Sequence, residues 1–303
     1  MPKTKNWQWY LEENSEFETH MHALSNTYFS GRTQFQDVGV VESPVFGKML
    51  ILDGDTQSSQ ADEYIYHDTL VHPAMIMTDR PKKVLMLGAG EGATLREVLR
   101  HNTVEKVIMV DIDKEVVDLC RKYLPEWSDG AFENSKAEIH YMDAFKFVNE
   151  SKEKYDLIIS DLTEPLEDSP SYKLFTIEFF RTIKEHLTDG GSYVLQASTT
   201  DFHNLDLHTV MFNTLSKVFK VTRSFSSRVP AYDTMWGFIF CSDKNDPLLI
   251  TKEEVDKRIA ERIKGELKYY DGITHLHMFN TPKYLRKAIG KQTRILQEKD
   301  LLK

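Results

Sequence analysis

Apolar and polar positions alternate with a period of two through the first sixty residues. Residues 33–41 carry this pattern most clearly. Turn signals follow at Ser43-Pro44 and Gly47, and Lys48-Met49-Leu50-Ile51-Leu52 reads as a strand that stops at Asp53-Gly54. A small β module is expected here. Its own core is thin, so it should pack on something larger or on a second copy. From about Ala61 the period changes. Glu63, Tyr64, Tyr66, His67, Leu70, Val71 and Ala74 suit a helix with a mixed face. Short apolar runs then alternate with helical patterns. The runs predict strands at 83–87, 107–110, 137–142, 155–160 and 192–196, the last preceded by Gly190-Gly191. The helical patterns predict helices at 94–100, 116–123 and 175–186. Continuous apolar strands separated by helices predict an α/β fold with a parallel, doubly wound sheet covered on both faces. Two β-rich segments remain at 220–225 and 237–241, and 252–267 reads as a charged surface helix. The chain is thus expected to divide into an N-terminal β-strand domain, 1–60, and a larger α/β domain, 61–303.

Composition removes several function classes. Apolar residues make up 41% of the 303 positions, enough for a large core, and charged residues 28%. Lys and Arg number 38 against 47 Asp and Glu, a net charge of −9. That balance argues against a general nucleic-acid binder, which needs a basic face. No apolar run approaches the ~18 residues of a membrane span, and residues 1–14 lack the apolar core of a signal peptide. The two cysteines, Cys120 and Cys241, form neither a disulfide framework nor a zinc cluster. His203, His208, His275 and His277 have no ligand partners at telling spacings, and Met75, Met77 and Met86 read as core filling. The expectation is a cytoplasmic protein with no metal, nucleic-acid or membrane partner.

In an open α/β sheet, ligands bind outside the carboxyl ends of the strands. The polar residues expected there are Gly88 to Gly92, Asp111, Asp113, Asp143, Asp161 with Glu164, and Gln196. Any one acid could be a helix cap; four successive strand ends carrying acids or a glycine loop point to a site. Gly88-Ala89-Gly90-Glu91-Gly92-Ala93 fits G-x-G-x-x-A, a pattern shared by dinucleotide enzymes and adenosine-cofactor transferases. Asp111 lies 23 residues after Gly88, where an acid binds ribose hydroxyls. Glu91 sits badly with a pyrophosphate, since like charges about 5 Å apart cost roughly 3 kcal/mol at an effective dielectric of ~20. It equally opposes the carboxylate of S-adenosylmethionine and favours a cofactor that presents an ammonium alone. Asp161 and Glu164 stand three residues apart, with Pro165 stiffening the turn; two close carboxylates are relieved by a cation. Tyr66-His67, preceded by Asp62-Glu63, adds a polar cluster in an apolar context.

These residues fall into a known pattern. Phe35-Gln36-Asp37, Phe46-Gly47-Lys48, Leu52-Asp53-Gly54, Thr56-Gln57-Ser58 and Asp62-Glu63-Tyr64-Ile65-Tyr66-His67 lead into the Gly88 loop and Thr94-Leu95-Arg96-Glu97-Val98. Tyr155 to Pro165, Leu174-Phe175-Thr176, Gly190-Gly191, Pro230-Ala231-Tyr232 and Leu267-Lys268-Tyr269-Tyr270 continue it. From Trp9-Tyr10 to about Ala288 the chain resembles the polyamine aminopropyltransferases, the spermidine and thermospermine synthases. The resemblance implies a small N-terminal β domain followed by a Rossmann-like, methyltransferase-type catalytic domain. It implies an amine attacking the aminopropyl carbon of decarboxylated S-adenosylmethionine, a co-substrate rather than a resident cofactor, to give a longer polyamine and methylthioadenosine. By matching positions, Gly88, Gly90, Gln36, Asp111, Asp143 and Ala144 would hold the nucleoside, with Asp111 on the ribose and Asp143 at the adenine. Glu91 would hold the aminopropyl ammonium with help from His67. Asp161 would accept the proton. Tyr66, Glu164, Gln196 and Tyr232 would line the acceptor channel, and Trp9 would close it. A homodimer or homotetramer is implied as well.

Three departures stand out. The usual Gly-Gly-Gly-Asp-Gly is here Gly88-Ala89-Gly90-Glu91-Gly92, so residue 89 is expected to have a backbone angle that a Cβ tolerates. The usual Asp-x-x-Asp is here Asp161-x-x-Glu164, one methylene longer. Trp9-Tyr10, Gln57-Ser58, Ala131-Phe132 and Asp233-Thr234-Met235-Trp236-Gly237 resemble the thermospermine branch. Putrescine is the expected acceptor, with agmatine and spermidine as alternatives. The competing readings are a methyltransferase, opposed by Glu91; a dehydrogenase, which lacks a second cofactor signature; and a binding protein without chemistry, opposed by the intact loop, Tyr66 and Asp161.

Overall fold

The computed structural model describes residues 7–15, 18–164 and 170–302. The chain opens with an antiparallel hairpin, β1 (Gln8–Ser15) and β2 (Glu18–Leu24). A four-stranded antiparallel meander follows: β3 (Asn26–Arg32), β4 (Asp37–Ser43), β5 (Gly47–Leu52) and β6 (Asp55–Ser59). The period-two alternation read through 33–41 is broken by a turn before β4 starts at Asp37. The Thr33 hydroxyl accepts the N–H groups of Phe35 and Gln36, and Thr33 N–H donates to the Gln36 carbonyl, so side-chain bonding captures the backbone there.

The second part is built on a seven-stranded sheet. Its elements are α1 (Glu63–Met77), β7 (Lys83–Gly88), α2 (Ala93–Leu99), β8 (Lys106–Asp111), α3 (Lys114–Tyr123), α4 (Pro125–Ser128), β9 (Ala137–Tyr141), α5 (Ala144–Glu150), β10 (Tyr155–Asp161), α6 (Ile177–Glu185), β11 (Leu187–Thr199), α7 (Asp206–Ser216), β12 (Val221–Val229) and β13 (Thr234–Ser242). Three helices follow: α8 (Lys252–Arg262), α9 (Gly272–Phe279) and α10 (Lys283–Lys291). The strand order is β12-β13-β11-β10-β7-β8-β9, and neighbours from β11 to β9 pair in parallel. β13 runs antiparallel to both β11 and β12, so the sheet is mixed at that edge rather than wholly parallel. The reversal is made by the 3-10 turn Pro230–Tyr232 and Asp233 at φ +52°. Gly190-Gly191, expected ahead of a strand, lies inside β11, where the ladder to β10 skips from Leu187 to Ser192. The helix expected over 252–267 stops at Arg262, because Ile263 leaves to bridge His101.

Both faces of the sheet are covered. Residues of α1, α2, α8 and α9 pack on one face and those of α5, α6 and α7 on the other. The meander does pack on something larger. Val38, Val40 and Leu50 join Ala93, Val116, Cys120, Leu124 and Trp127 in one buried cluster, and the Trp127 indole donates to Ser58 Oγ at 2.6 Å. Cys120 and Cys241 are free and buried, and Met75, Met77 and Met86 are buried in the core. No helix among the described residues is long and apolar enough to cross a membrane.

Candidate active site

The strand order reverses between β7 and β10, and Gly88 and Asp161 pair across that gap. A crevice for ligand forms where such neighbours send their helices to opposite faces. Gly88 has φ +85°, and a Cβ on it would stand 2.2 Å from the Asp161 carbonyl oxygen, so only glycine lets the loop cross here. Ala89 does not have the Cβ-tolerant angle expected. It stands at φ +76°, with its N–H on the same Asp161 carbonyl at 3.2 Å. Ser198, near the end of β11, is also left-handed, at φ +61°. Strained non-glycine residues held this way concentrate at functional sites.

Asp161, at the end of β10, is fixed from both sides. Tyr66 Oη donates to its Oδ1 at 2.6 Å and Thr94 Oγ1 to its Oδ2 at 2.6 Å. Tyr66 comes from α1 and its ring packs edge-on against Tyr232 and Phe238. Burial, then the charge of Asp161, pushes the Tyr66 phenol well above its usual range, so it stays a donor.

Glu91 and His67 form the second centre. His67 Nε2 lies 2.6 Å from Glu91 Oε1, and both side chains are almost wholly buried. Its Nδ1 faces the Glu63 carbonyl at 2.7 Å and Glu63 Oε2 at 2.9 Å. The atoms closest to its nitrogens are carboxylate or carbonyl oxygens, an environment that favours a proton on each. The Nε2 approach to Glu91 is a charge contact without hydrogen-bond alignment, and the Tyr66 ring packs edge-on beside the imidazole. Burial works against the charged ring, but Glu91 and Glu63 outweigh it and raise its pKa well above the usual value. Burial pushes the Glu91 carboxyl upward against the pull of His67. Glu91 Oε2 is buried without a hydrogen-bond partner among the described residues. It is an anionic seat with one free lone-pair face.

The nucleoside-side candidates cluster beyond the loop. The Asp111 carboxyl, pushed up to about 6 by burial and then by Asp113 and Asp161, accepts the Asp113 N–H at 2.9 Å and is also bonded by the Gly90 N–H. Asp113 caps α3 and takes Gln36 Nε2 at 3.0 Å and Thr33 Oγ1 at 2.6 Å, so the β3–β4 turn delivers Gln36 to this end of the sheet. Asp143 caps α5 at Phe145 N and pairs with Lys173 at 2.7 Å; Ala144 is buried beside it. On the other flank, half-buried Glu164 is bonded to Ser198, and burial raises its carboxyl. Gln196 does not present a free amide: its Nε2 donates to the Leu162 carbonyl at 2.6 Å and its Oε1 accepts Ser198 N–H. Tyr232 donates to the Gln57 carbonyl of β6. Trp9 is 52% exposed on β1, and among the described residues no hydrogen bond or ring contact joins it to the cluster. Pro165 lies outside the described residues.

The pattern along the chain placed Glu63 in a polar cluster without a role, and gave no role to Thr94, Arg96, Ser198 or Lys173. Glu63 and His67 are one helical turn apart, a legible signal once α1 is recognised. Thr94 and Asp161 are 67 positions apart and meet only through the strand pairing. Asp68, His72 and Glu97 offer ligand atoms within 4.8 Å of one another. They are already matched internally, since Glu97 carries Arg96 and Arg100 while Asp68 takes the N–H groups of Tyr269 and Tyr270.

Residues 63–253 match the family described as the spermine/spermidine synthase domain, and residues 8–60 match the spermidine synthase tetramerisation domain. The chain belongs to the spermine/spermidine synthase family. It is 45% identical to the polyamine aminopropyltransferase of Sulfurisphaera tokodaii over 289 residues, 95% of each chain. It is 44% identical to that of Sulfolobus acidocaldarius over the same share. A crystal structure of spermidine synthase in complex with the transition-state analogue AdoDATO superposes with a TM-score of 0.88, at 31% identity over 95% of this chain and 97% of that one. Spermidine synthase from Thermotoga maritima gives 0.86 at 31% identity, over 95% of this chain and 96% of that one. The protein is therefore an aminopropyltransferase of polyamine biosynthesis. The fold expected from the resemblance, a small antiparallel sheet domain ahead of a methyltransferase-type α/β domain, is the fold observed.

Proposed function

We propose that the enzyme transfers the aminopropyl group of decarboxylated S-adenosylmethionine to putrescine, giving spermidine and methylthioadenosine. The observation that carries this reading is Glu91: a buried carboxylate, one oxygen against cationic His67 and the other unpartnered. Such a seat suits an ammonium and repels the carboxylate that S-adenosylmethionine carries. This weighs against a methyltransferase. The solved relative holding a transition-state analogue of its own reaction supports the same donor class.

The chemistry follows from charge. The sulfonium is already a good leaving group, so the obstacle is the nucleophile. An alkylammonium with pKa near 10.4 must lose a proton, which at pH 7 costs roughly 4.6 kcal/mol. Asp161, its rotamer fixed by Tyr66 and Thr94, orients the amine and takes the proton as the C–N bond forms and the C–S bond breaks. Asp111 and Gln36 face the nucleoside end, with Asp143 and Ala144 at the base. Glu164 holds the distal ammonium of the acceptor, in a channel with Tyr66 and Tyr232 as walls and Trp9 at its mouth. Gln196 acts by tying Leu162 and Ser198 together. The N-terminal sheet matches a tetramerisation domain, and we infer assembly as a homodimer or homotetramer, in the cytoplasm.

Spermidine and agmatine are the alternative acceptors, because Trp9-Tyr10, Gln57-Ser58, Ala131-Phe132 and Asp233-Thr234-Met235-Trp236-Gly237 resemble the thermospermine branch and Glu164 departs from the usual aspartate. A competition assay decides. Equal amounts of putrescine, agmatine, cadaverine and spermidine are offered with the decarboxylated donor, and the polyamines formed are identified. Spermidine as main product supports the proposal; aminopropylagmatine or a tetraamine reassigns the acceptor.

A further inference from the structure

Behind the site, charges of alternating sign run in one line from the donor pocket to the surface. Glu91 contacts His67 at 2.6 Å, His67 contacts Glu63 at 2.9 Å, Glu63 contacts Arg96 at 2.8 Å, and Arg96 contacts Glu97 at 2.8 Å. Arg96 cannot swing away. Its Nη1 donates to the Trp127 carbonyl at 2.7 Å, and Glu97 is itself held by Arg100 at 2.9 Å and His72 at 3.0 Å. One oxygen, Glu63 Oε2, serves both His67 Nδ1 and Arg96 Nη2. The line ends in a cleft of about 640 Å³ whose walls include Glu63, Arg96, Arg100 and Lys268.

We infer that Glu63, pinned by Arg96, is a positioning residue: it keeps His67 doubly protonated against Glu91, so that Glu91 stays charged and aimed at the donor's ammonium. The inference rests on the donor proposed above and adds a residue that touches neither substrate. An acid in the first turn of a helix commonly does no more than favour the helix dipole. Glu63 departs from that pattern, because its carboxylate is turned inward, almost fully buried and divided between an imidazole and a guanidinium. Histidine ring nitrogens are set by what the far nitrogen meets. Here the far nitrogen meets Glu63, and the near one meets Glu91. Without the Glu63 charge, His67 gives up its proton at lower pH and Glu91 loses its cationic neighbour. The charged and titratable groups facing this pair are Glu63 and Tyr66 from α1, Glu91 from the loop after β7, Asp161 from β10, Tyr232 from the 3-10 turn, and Arg96 from α2 through Glu63. Of these, Glu63 and Glu91 raise the ring's affinity for its proton, which makes the alkaline limb of activity the sensitive readout.

The test uses the full-length enzyme and Glu63→Gln, with kinetics in decarboxylated S-adenosylmethionine and putrescine across neutral to alkaline pH. The expected result is a loss of about tenfold or more in kcat/KM for the donor, an unchanged KM for the amine, and an alkaline limb moved to lower pH. In Glu63→Ala, formate entering through the cleft restores part of the lost rate. A limb that stays at its wild-type position overturns the inference, however much activity is lost. Nitrogen NMR of the histidine side chains in the wild-type protein gives a measurement independent of folding variants and of turnover. Two protonated ring nitrogens on His67 at about pH 8 are expected, and a neutral ring there overturns the inference. Absence of turnover in the wild type with every amine would instead overturn the proposed donor and acceptor.

Discussion

Asp161 is held by two hydroxyls, and removing them one at a time measures how far its orientation matters. Tyr66→Phe deletes only the oxygen that donates to Asp161 Oδ1 at 2.6 Å and keeps the ring packed on Tyr232 and Phe238. Thr94→Val deletes the donor to Oδ2 at 2.6 Å with little change of shape. A buried hydrogen bond to a charged group contributes roughly 1.5–3 kcal/mol. If that bond is needed in the transition state, each variant loses about 10–100-fold in kcat/KM. A lost donor also leaves a carboxylate that is intrinsically a stronger base, which by itself speeds proton transfer. The two effects oppose, and the packed geometry makes positioning the larger. Both donors serve one carboxylate, so the double variant should depart from additivity by about 0.5–3 kcal/mol. The assay is methylthioadenosine release under saturating donor, with kcat and KM for the amine determined for the four proteins of the cycle. The Tyr66 phenol lies well above its usual range, so Tyr66→Phe leaves the alkaline limb in place. Unchanged or faster kcat in both single variants would refute the claim that these hydroxyls position the base.

Three further outcomes are expected. Ala89→Gly relieves a left-handed alanine at φ +76°, worth roughly 1–2 kcal/mol, against about 0.4–1 kcal/mol of added unfolded-state freedom. The net expectation is a melting temperature higher by about 1–2 °C, and a lower one contradicts the strain assignment. Glu91→Gln should weaken the decarboxylated donor by on the order of 100-fold while leaving methylthioadenosine, which lacks the ammonium, within about threefold; equal weakening of both in calorimetry places the ammonium elsewhere. His208 is buried as a neutral ring between the Ala197 carbonyl and Ser224 Oγ, and burial pushes its pKa down to about 4. The unfolded chain binds a proton near 6.5 and the folded chain does not, so stability falls as pH drops from about 6.5 to about 4, by up to about 3 kcal/mol. His208→Phe should flatten that slope in denaturant titrations, and an unchanged slope assigns the acid sensitivity to other groups.

Much of this architecture was legible because buried parallel strands are short apolar runs, and the acids that end them are conspicuous. The strands ending at Gly88, Asp111 and Asp161 were read within a residue or so of their observed limits. The edge of the sheet was less legible. Nothing in the apolar pattern of residues 221–242 distinguishes an antiparallel pair from another crossover, and the deciding feature is a turn whose carrier, Asp233, is not glycine. The same holds for 33–36, where the apolar alternation continues through a turn enforced by one threonine hydroxyl. Within the site, residues at strand ends were found by position, whereas those supporting them were missed. Thr94 and Arg96 read as ordinary first-turn helix residues, and their partners lie on other elements far along the chain. Gln196 was placed by its strand end, but its amide is committed to two backbone groups that no local pattern reveals.

The most direct test offers the enzyme two donors in parallel, decarboxylated S-adenosylmethionine and S-adenosylmethionine, each with putrescine, and identifies all products by mass spectrometry. The expected result is spermidine and methylthioadenosine in equal amounts from the decarboxylated donor, with no reaction from the other. A methylated amine from S-adenosylmethionine, with no methylthioadenosine from its decarboxylated form, would contradict the role given to Glu91 and with it the reaction assigned to the site.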